Sequence, residues 1–449
     1  MPAIITTKLR RIIAREFFDG FNNGTHNYYI GIGRSEQWDS SDTVPAPKDT
    51  FEEVEDLRDQ LQAVKKVTNN SLVIPRENWA QGTIYSQYDD RAAGYTANPY
   101  YVKTDNNQVY VCLEVGRNAT GVIQASTVEP TGANINSFRT SDGYVWKFLY
   151  TISAADANDF MSANYMPVKK QGVTDSNSTG IATRHREVQD QAVPGEILSV
   201  ILSDGGAGYT SIPTVTITST SGTSAAAKAF IDSANGVVTK IEMEPDSSTL
   251  DHGIGYTTAS VTITGGGATT AATARAVIGP DSGIGADARE TLKASSVMFH
   301  TKLEGSDSDL ILDQDFRQVS LIRNPKEHDG SLLTDATANA LDYMTLSSVV
   351  SNFTKDKIIR GATSLAEAYV DNFDSDKIYY HQTDFTGFKA FQDGEQVEEK
   401  NGTGDGIIDS ARINAQVDVD AGDILYIDNR AAVLRDATQS EDVKIIIQF

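Results

Sequence analysis

Cysteine is almost absent from this 449-residue chain. The single thiol, Cys112, excludes any intrachain disulfide and any zinc site built on several thiolates, and it predicts folding in a reducing compartment. Positive charge is also in short supply: 38 Lys and Arg stand against 61 Asp and Glu, for a net charge of −23 and a pI near 4.6. Binding by counterion release needs a basic face, so nucleic acid and anionic membrane are excluded as first-choice partners. No uninterrupted apolar run approaches the ~18 residues of a membrane span. The opening MPAIITTKLRRIIAREFFDGF carries Arg10 and Arg11 and no apolar core ending in small residues, so no secretory signal is predicted.

Catalytic signatures are missing as well. There is no HExxH, no GxSxG elbow and no GxxxxGK[ST] phosphate loop. GIGRSE and GIGADA lack the third glycine of a dinucleotide fingerprint and read as turns. His26, His185, His252, His300, His328 and His381 are scattered, and each is given a structural or surface role. DVDAGD (418–423) begins like a calcium loop but places Asp423 where an EF-hand needs glycine; NGTGDGIID offers only Asp405 and Asp409 as local acids. Both read as solvated turns. Alternation in VYVCLEV places Cys112 with Tyr110 and Leu113 near a sheet surface, as a buried inert thiol. No catalytic residue, cofactor or metal set is singled out.

What is present is a large, mainly β chain. At about 150 residues per domain, the length suits three domains or one core with insertions. Leu9, Ile12, Ile13 and Phe17 recur at helical spacing, and the helix is expected to pack on its own domain rather than on a membrane. NYYIGIGRSEQW reads as a strand ending in a turn. Phe51, Val54, Leu57, Leu61 and Val64 predict a helix, with Asp49 and Thr50 as cap candidates. Residues 72–200 read as short strands; Trp146, between Val145 and Phe148, is assigned to the core.

Residues Gly195 to Gly279 contain an internal repeat. GEILSVILSDGGAGYTSIPTVTIT then AAKAFI is followed by GVVTKIEMEPDSSTLDHGIGYTTASVTIT then TARAVI. Gly195 and Gly236 lie 41 apart but Tyr209 and Tyr256 lie 47 apart, so the second copy holds about six extra residues before its GYT turn. Two copies are fewer than a solenoid's usual ~3, which predicts one compact β module made by packing the pair. Further on, a helical turn is expected around Ala336 to Leu346, then strands such as DKIYYHQ; DILYIDNR and EDVKIIIQF read as terminal strands.

Several stretches taken together resemble a known family. YYIGIGRSEQW (28–38), VIPRENW (73–79), VYVCLEV (109–115), DGYVWKFLY (142–150), FRQVSLIRNP (316–325) and GDILYIDNR with the terminal IIIQF are similar, in the same order, to the dimeric baseplate wedge subunit of T-even-type contractile-tailed bacteriophages. The resemblance covers roughly the first 170 residues, the stretch near 290–325 and the last forty. It implies a structural, non-enzymatic virion protein, homodimeric and joined to other baseplate wedge proteins, in a plate whose rearrangement triggers sheath contraction.

The fold expected is α+β and mainly β: a discontinuous β-rich core with two inserted modules, one a tandem β repeat. The boundaries are 1–190 for the N-terminal core, 191–282 for the repeat module, 283–329 for core continuation, 330–410 for a second inserted α/β module and 411–449 for the C-terminal strands. Arg34, Glu36 and Trp38, Arg76, Glu77 and Trp79, and Arg317 and Arg323 are candidate residues. Guanidinium, carboxylate and aromatic groups in that mix serve equally at an interface or as internal braces. The alternative function is receptor or carbohydrate binding through the repeats, with Tyr209 and Tyr256 as sugar platforms.

Overall fold

The computed structural model describes residues 5–92, 94–172, 180–246, 249–304, 314–436 and 438–449. Strands take 42% of the chain and helices 11%, so the protein is mainly β. It divides into two compact units: one holds Met1–Glu16, Ser71–Met298 and Ile447–Phe449, the other Phe17–Asn70 and Phe299–Ile446.

In the first unit, Gln108–Glu114 and Val145–Thr151 pair antiparallel at the centre of a four-stranded sheet, flanked by Tyr101–Lys103 and Phe138–Arg139. Both central strands are buried on both faces, which corrects the expectation that Cys112 lies near a sheet surface: it sits at zero exposure beside Tyr110, Tyr144 and Trp146. Alternation fails as a guide where both faces of a strand are covered. Helix Ile181–Asp190, unforeseen in the sequence, lies on the Val145–Thr151 strand and stacks His185 on Tyr150, with centroids 5.3 Å apart.

The repeat module belongs to this unit. Four ladders join one copy to the other: Ile197–Asp204 with Thr273–Ile278, Thr214–Thr218 with Ser260–Thr264, Thr223–Ala225 with His252–Ile254, and Ala227–Asp232 with Val237–Met243. Among the described residues the pairing within a copy is Pro245–Asp246 with Thr249–Leu250, in the extra segment of the second copy; residues 247 and 248 of that segment lie outside the described residues. Apart from that short ladder, every described sheet of the module needs strands from both copies, which is why the pair forms a single module.

The second unit has two parts. Tyr28–Gly33 forms the middle of a five-stranded sheet, ordered Thr337–Asn339, Leu61–Lys66, Tyr28–Gly33, Asp315–Arg323, Asp423–Leu434. Gly31 is required there, because a Cβ would lie 2.5 Å from Ser320 Oγ and 2.8 Å from Leu61 Cδ1. A closed six-stranded barrel is built from Asp342–Ser351, Lys377–His381, Glu367–Asp374, Ile358–Gly361, Gln396–Glu399 and Asp405–Ile413. Closure leaves no free sheet edge.

Three local expectations are corrected. The helix begun at Phe51 ends at Asp59, with Thr50 Oγ1 accepting from Glu53 N at 3.3 Å; Leu61 and Val64 belong to a strand, where the sheet overrides helical spacing. The helical turn at Ala336–Leu346 is strand instead, Thr337–Asn339 then Asp342–Ser351, because Met344 and Leu346 alternate into the barrel core. The segment expected as an α/β module is thus all strand and turn among its described residues. Helix Thr7–Asn22 forms and packs as expected through Ala14, which is fully buried, and through its C-terminal half: within the second unit Phe17 and Phe21 cluster with Tyr28 and Phe299 at centroid distances of 5.1–5.7 Å. Leu9, Ile12 and Ile13 are exposed.

Candidate interface and bracing residues

Most of the candidate residues of the second unit converge just after Tyr28–Gly33. Gly33 is held against Gln60, whose carbonyl would lie 2.4 Å from an added Cβ, and the chain turns there with Arg34 at φ +62°. Arg34 donates to Gln60 Oε1 at 3.1 Å and covers the Trp38 ring at 4.1 Å, a cation–π contact worth about 0.5–1 kcal/mol at such sites. The Trp38 indole N–H donates to Arg430 O at 3.0 Å. Arg317, 4% exposed, closes the turn: it donates to Ser35 O, reaches Asp42 at 2.9 Å and pairs with Asp315 at 2.8 Å. Arg323 stands at the other end of the same strand, half-buried, 2.9 Å from Asp423.

Glu36 enters a cluster that sequence reasoning missed. Its Oε1 lies 2.6 Å from His381 Nε2, and His381 Nδ1 lies 2.6 Å from Asp371 Oδ2. His381 is 5% exposed and Asp371 not at all; Tyr369 stacks on the imidazole at 5.5 Å. Burial opposes charge on the ring, but Asp371 and Glu36 overcome it and hold His381 well above its ordinary value. Burial raises Asp371, against the pull of His381. For Glu36, burial is outweighed by His381 and Arg34, and its carboxyl is lowered. The group ties the turn after Tyr28–Gly33 to two barrel strands. Only a spatial map could find it, since 36, 371 and 381 carry no local motif.

Arg76, Glu77 and Trp79 lie in the first unit. Arg76 donates to Asn78 Oδ1 at 3.1 Å and Ser162 O at 3.0 Å. The backbones of Glu77 and Trp79 bracket Lys103 at 2.7 and 2.9 Å, and Trp79 Nε1 donates to Ser126 Oγ at 3.2 Å. Burial raises the Glu77 carboxyl.

Tyr209 and Tyr256, the supposed sugar platforms, are 2% and 3% exposed. Their hydroxyl oxygens accept from Ala272 N at 2.8 Å and Ala225 N at 3.1 Å, each across to the other copy. They pack behind the GYT turns. At DVDAGD, Asp418 Oδ1 accepts from Asp420 N at 3.2 Å in a turn; in NGTGDG, Glu399 Oε2 accepts from Thr403 N and Gly404 N at 2.9 Å. Among the described residues no three His, Cys, Asp or Glu side chains gather as a metal site, and no helix is long and apolar enough to cross a membrane.

The arrangement is that of a β-rich protein whose charged residues brace turns and strands. No protein-family profile matches it. The chain is similar to the baseplate wedge protein gp8 of Enterobacteria phage T4, at 25% identity over 185 residues, covering 33% of this chain and 55% of that protein. It thus spans about half the length of the curated relative it matches.

Proposed function

We propose that the protein is a structural, non-enzymatic subunit of a phage tail baseplate, located in the virion and assembled in the host cytoplasm. In this reading it is a homodimeric wedge subunit that joins neighbouring wedge proteins and takes part in the rearrangement that triggers sheath contraction. The observation that carries it is the similarity to the T4 baseplate wedge protein, a protein of that printed name. The six collinear motifs agree, and the braced turns at Arg34–Trp38 and Arg76–Trp79 suit a part that transmits force rather than one that turns over substrate.

In the same reading, 191–282 and 330–410 are insertions into a wedge core made of 1–190, 283–329 and 411–449. Strand pairing confined within the repeat module, and the barrel's closure on itself from Asp342 to Ile413, support this, although Thr337–Asn339 of the second segment pairs with the core strand Leu61–Lys66. Arg323, with a third of its side chain exposed, and the half-buried Trp38 are assigned to subunit contacts, and the buried Arg317 to bracing.

The test is gold labelling of intact particles with an antibody to this protein, imaged by electron microscopy, with sedimentation of the purified chain alongside. Label confined to the baseplate and a dimeric mass are expected. Label on fibre tips or none on particles overturns the location; a monomer that joins no wedge protein overturns the assembly role.

A further inference from the structure

The N-terminal half of helix Thr7–Asn22 is unlike the rest of the molecule. Lys8, Arg10, Arg11 and Arg15 occur before the first acid, Glu16, in a chain whose net charge is −23. Its larger apolar side chains are open to solvent, Leu9 44%, Ile12 48% and Ile13 40% exposed, as is Ile5 (58%) just before it, while Ala14 is buried. Beside it, within the first unit, lies a cleft of about 320 Å³ walled by Lys8, Arg11, Arg15 and Arg289, with Asp281 and Glu290 as its acids. Ile12, Leu72 and Ala294 supply apolar floor.

The charges in this cleft do not cancel. Arg15 takes Glu290 at 3.1 Å and approaches Asp287 at 3.8 Å, and Arg289 holds Asp287 at 2.8 Å. Lys8 and Arg11 have no carboxylate within 4.0 Å among the described residues, and Arg11 Nε is buried without a hydrogen-bond partner. Arg11 also repels Lys293, which is 5% exposed, donates to Ala92 O at 2.6 Å, faces the Tyr88 and Tyr100 rings, and is favoured as a cation by Asp89 and Asp90. A half-buried guanidinium whose Nε is shielded from water and unpaired, beside the buried Lys293, favours the arrival of an anion. An exposed aliphatic stripe on the same helix marks a surface awaiting cover.

We propose that this face docks an acidic amphipathic segment of a different protein, its carboxylates entering the cleft at Lys8 and Arg11 and its apolar side chains covering Leu9, Ile12 and Ile13. Charge complementarity selects the occupant. An anionic bilayer is disfavoured by the chain's overall charge and by the recess in which Arg11 sits, which admits a side chain rather than a headgroup layer. A two-fold pair of this chain built on the same face would set cations against cations at its axis. The inference stands on this geometry and does not require a baseplate location.

The test uses the full chain and three probes: a fluorescein-labelled helical peptide of Leu and Glu at heptad spacing, its Leu and Lys counterpart, and vesicles of phosphatidylcholine with phosphatidylglycerol. The Leu–Glu peptide is expected to bind, more weakly as salt rises, with Arg11→Gln and Lys8→Gln each reducing affinity about tenfold. Leu9→Ser with Ile13→Ser is expected to weaken it further. All four side chains are at least partly exposed, and Lys8 is fully at the surface, so unchanged circular-dichroism melts will certify the fold. Equal binding of the Leu–Lys peptide, binding indifferent to these substitutions, or no peptide binding overturns the proposal. So does cosedimentation with vesicles in place of peptide binding, or conversion of a dimer to a monomer by the substitutions, which would assign the face to a second copy.

Discussion

In the repeat module, glycines and tyrosines join the two copies over an aliphatic core, whereas the barrel closes on alternating aliphatic side chains held by carboxylate-capped turns. The module's core packs Ala227, Ala229, Ala272 and Ala276 with Ile197, Val200, Val238, Ile241, Met243 and Ile263 and with Tyr209 and Tyr256, and backbone from one copy passes close to the other. Gly195 O accepts from Tyr256 N at 3.0 Å, and Gly236 O from Tyr209 N at 2.9 Å, the same contact made twice in opposite directions. The barrel buries Met344, Leu346, Ile359, Val370, Ile378, Val397 and Ile408, and its turns are held by carboxylates such as Glu395, which accepts from Thr363 N and Ser364 N at 2.8 Å. Both cores bury aliphatic side chains; the module adds close backbone approach at its glycines, which the barrel does not share to the same degree.

The largest expected effect follows from that contrast. Gly195 has φ +63°, and an added Cβ would lie 2.6 Å from both Tyr256 N and O; Gly387, in a barrel loop at φ +73°, has nothing within 4 Å. Gly195→Val combines left-handed strain with overlap and should destabilise the module by about 4 kcal/mol, against about 1 kcal/mol for Gly387→Ala. Gly236→Val should cost less than Gly195→Val, since its tightest approach is 3.3 Å to Tyr209 N. Hydrogen exchange read peptide by peptide checks this. Fast exchange across 195–279 with the barrel still protected is expected, and equal loosening of both regions would break the comparison.

The next effect belongs to the barrel side, where a charged group rather than a backbone contact joins elements. His381→Gln removes the cation between Asp371 and Glu36 and should cost about 3 kcal/mol at neutral pH, because two carboxyls are left buried together. The wild-type pH dependence has a definite sign. A histidine raised by its carboxylates contributes stability that is complete below its unfolded value of about 6.5 and is lost as pH rises through the folded value. Asp371, also raised, acts in the same direction; lowered Glu36 opposes it only in acid. Urea unfolding at several pH values, followed by exchange of the 367–381 peptides, should show stability falling above pH 6.5 in the wild type. A slope in His381→Gln as steep as in the wild type would remove the cluster from the account.

The third prediction sharpens the symmetry of the module. Tyr209→Phe leaves the buried N–H of Ala272, and Tyr256→Phe the half-buried N–H of Ala225, without its acceptor, at about 1–2 kcal/mol each. The two losses should agree within about 0.5 kcal/mol if the copies are energetically equivalent. Chemical denaturation of the full chain supplies the measurement. A loss at one tyrosine with none at the other would mean that the extra residues of the second copy have shifted the load.

How much of this was legible in advance follows from the range of the interactions involved. Aromatic and β-branched composition bounded by turn residues revealed the strands at Tyr28–Gly33 and Asp315–Arg323, which are buried almost throughout, and alternation revealed that at Ser440–Gln448. The repeat was visible because GYT recurs. Its interleaving was not, since pairing across copies leaves no mark on either copy alone. Spacing misread Leu61 and Val64 as helix because sheet membership was decided by partners at 28–33 and 337–339, far along the chain. Among the candidate residues, local chemistry marked Arg34 with Trp38, which do meet. Glu36 was marked without its partners, because Asp371 and His381 are more than 330 positions away. The exposed stripe of the first helix escaped for the opposite reason: amphipathic spacing says that one face is apolar but not that something in the same chain covers it.

The smallest effect returns to the barrel's edge and would raise stability rather than lower it. Asp59, at the end of helix Phe51–Asp59, lines a cleft of about 280 Å³ together with Tyr380, His381 and Arg412. Burial, then Glu55, Asp56, Asp384 and Asp420, push its carboxyl up to about 6. A carboxyl raised on folding favours the native state only where it is protonated, so its contribution is lost as pH rises from about 4 through 6, and above that the folded chain carries an unfavourable charge. Asp59→Asn removes it. Because the side chain is only half-buried, solvent screening reduces the expected gain at pH 7.5 to about 1 kcal/mol, with none at pH 4. Urea denaturation at both pH values checks the sign. A gain at pH 7.5 that vanishes in acid would identify the barrel side as the place where acidic crowding, rather than packing, limits stability, whereas a loss would mean that the Asp59 carboxylate holds a neighbouring backbone donor whose satisfaction outweighs the repulsion.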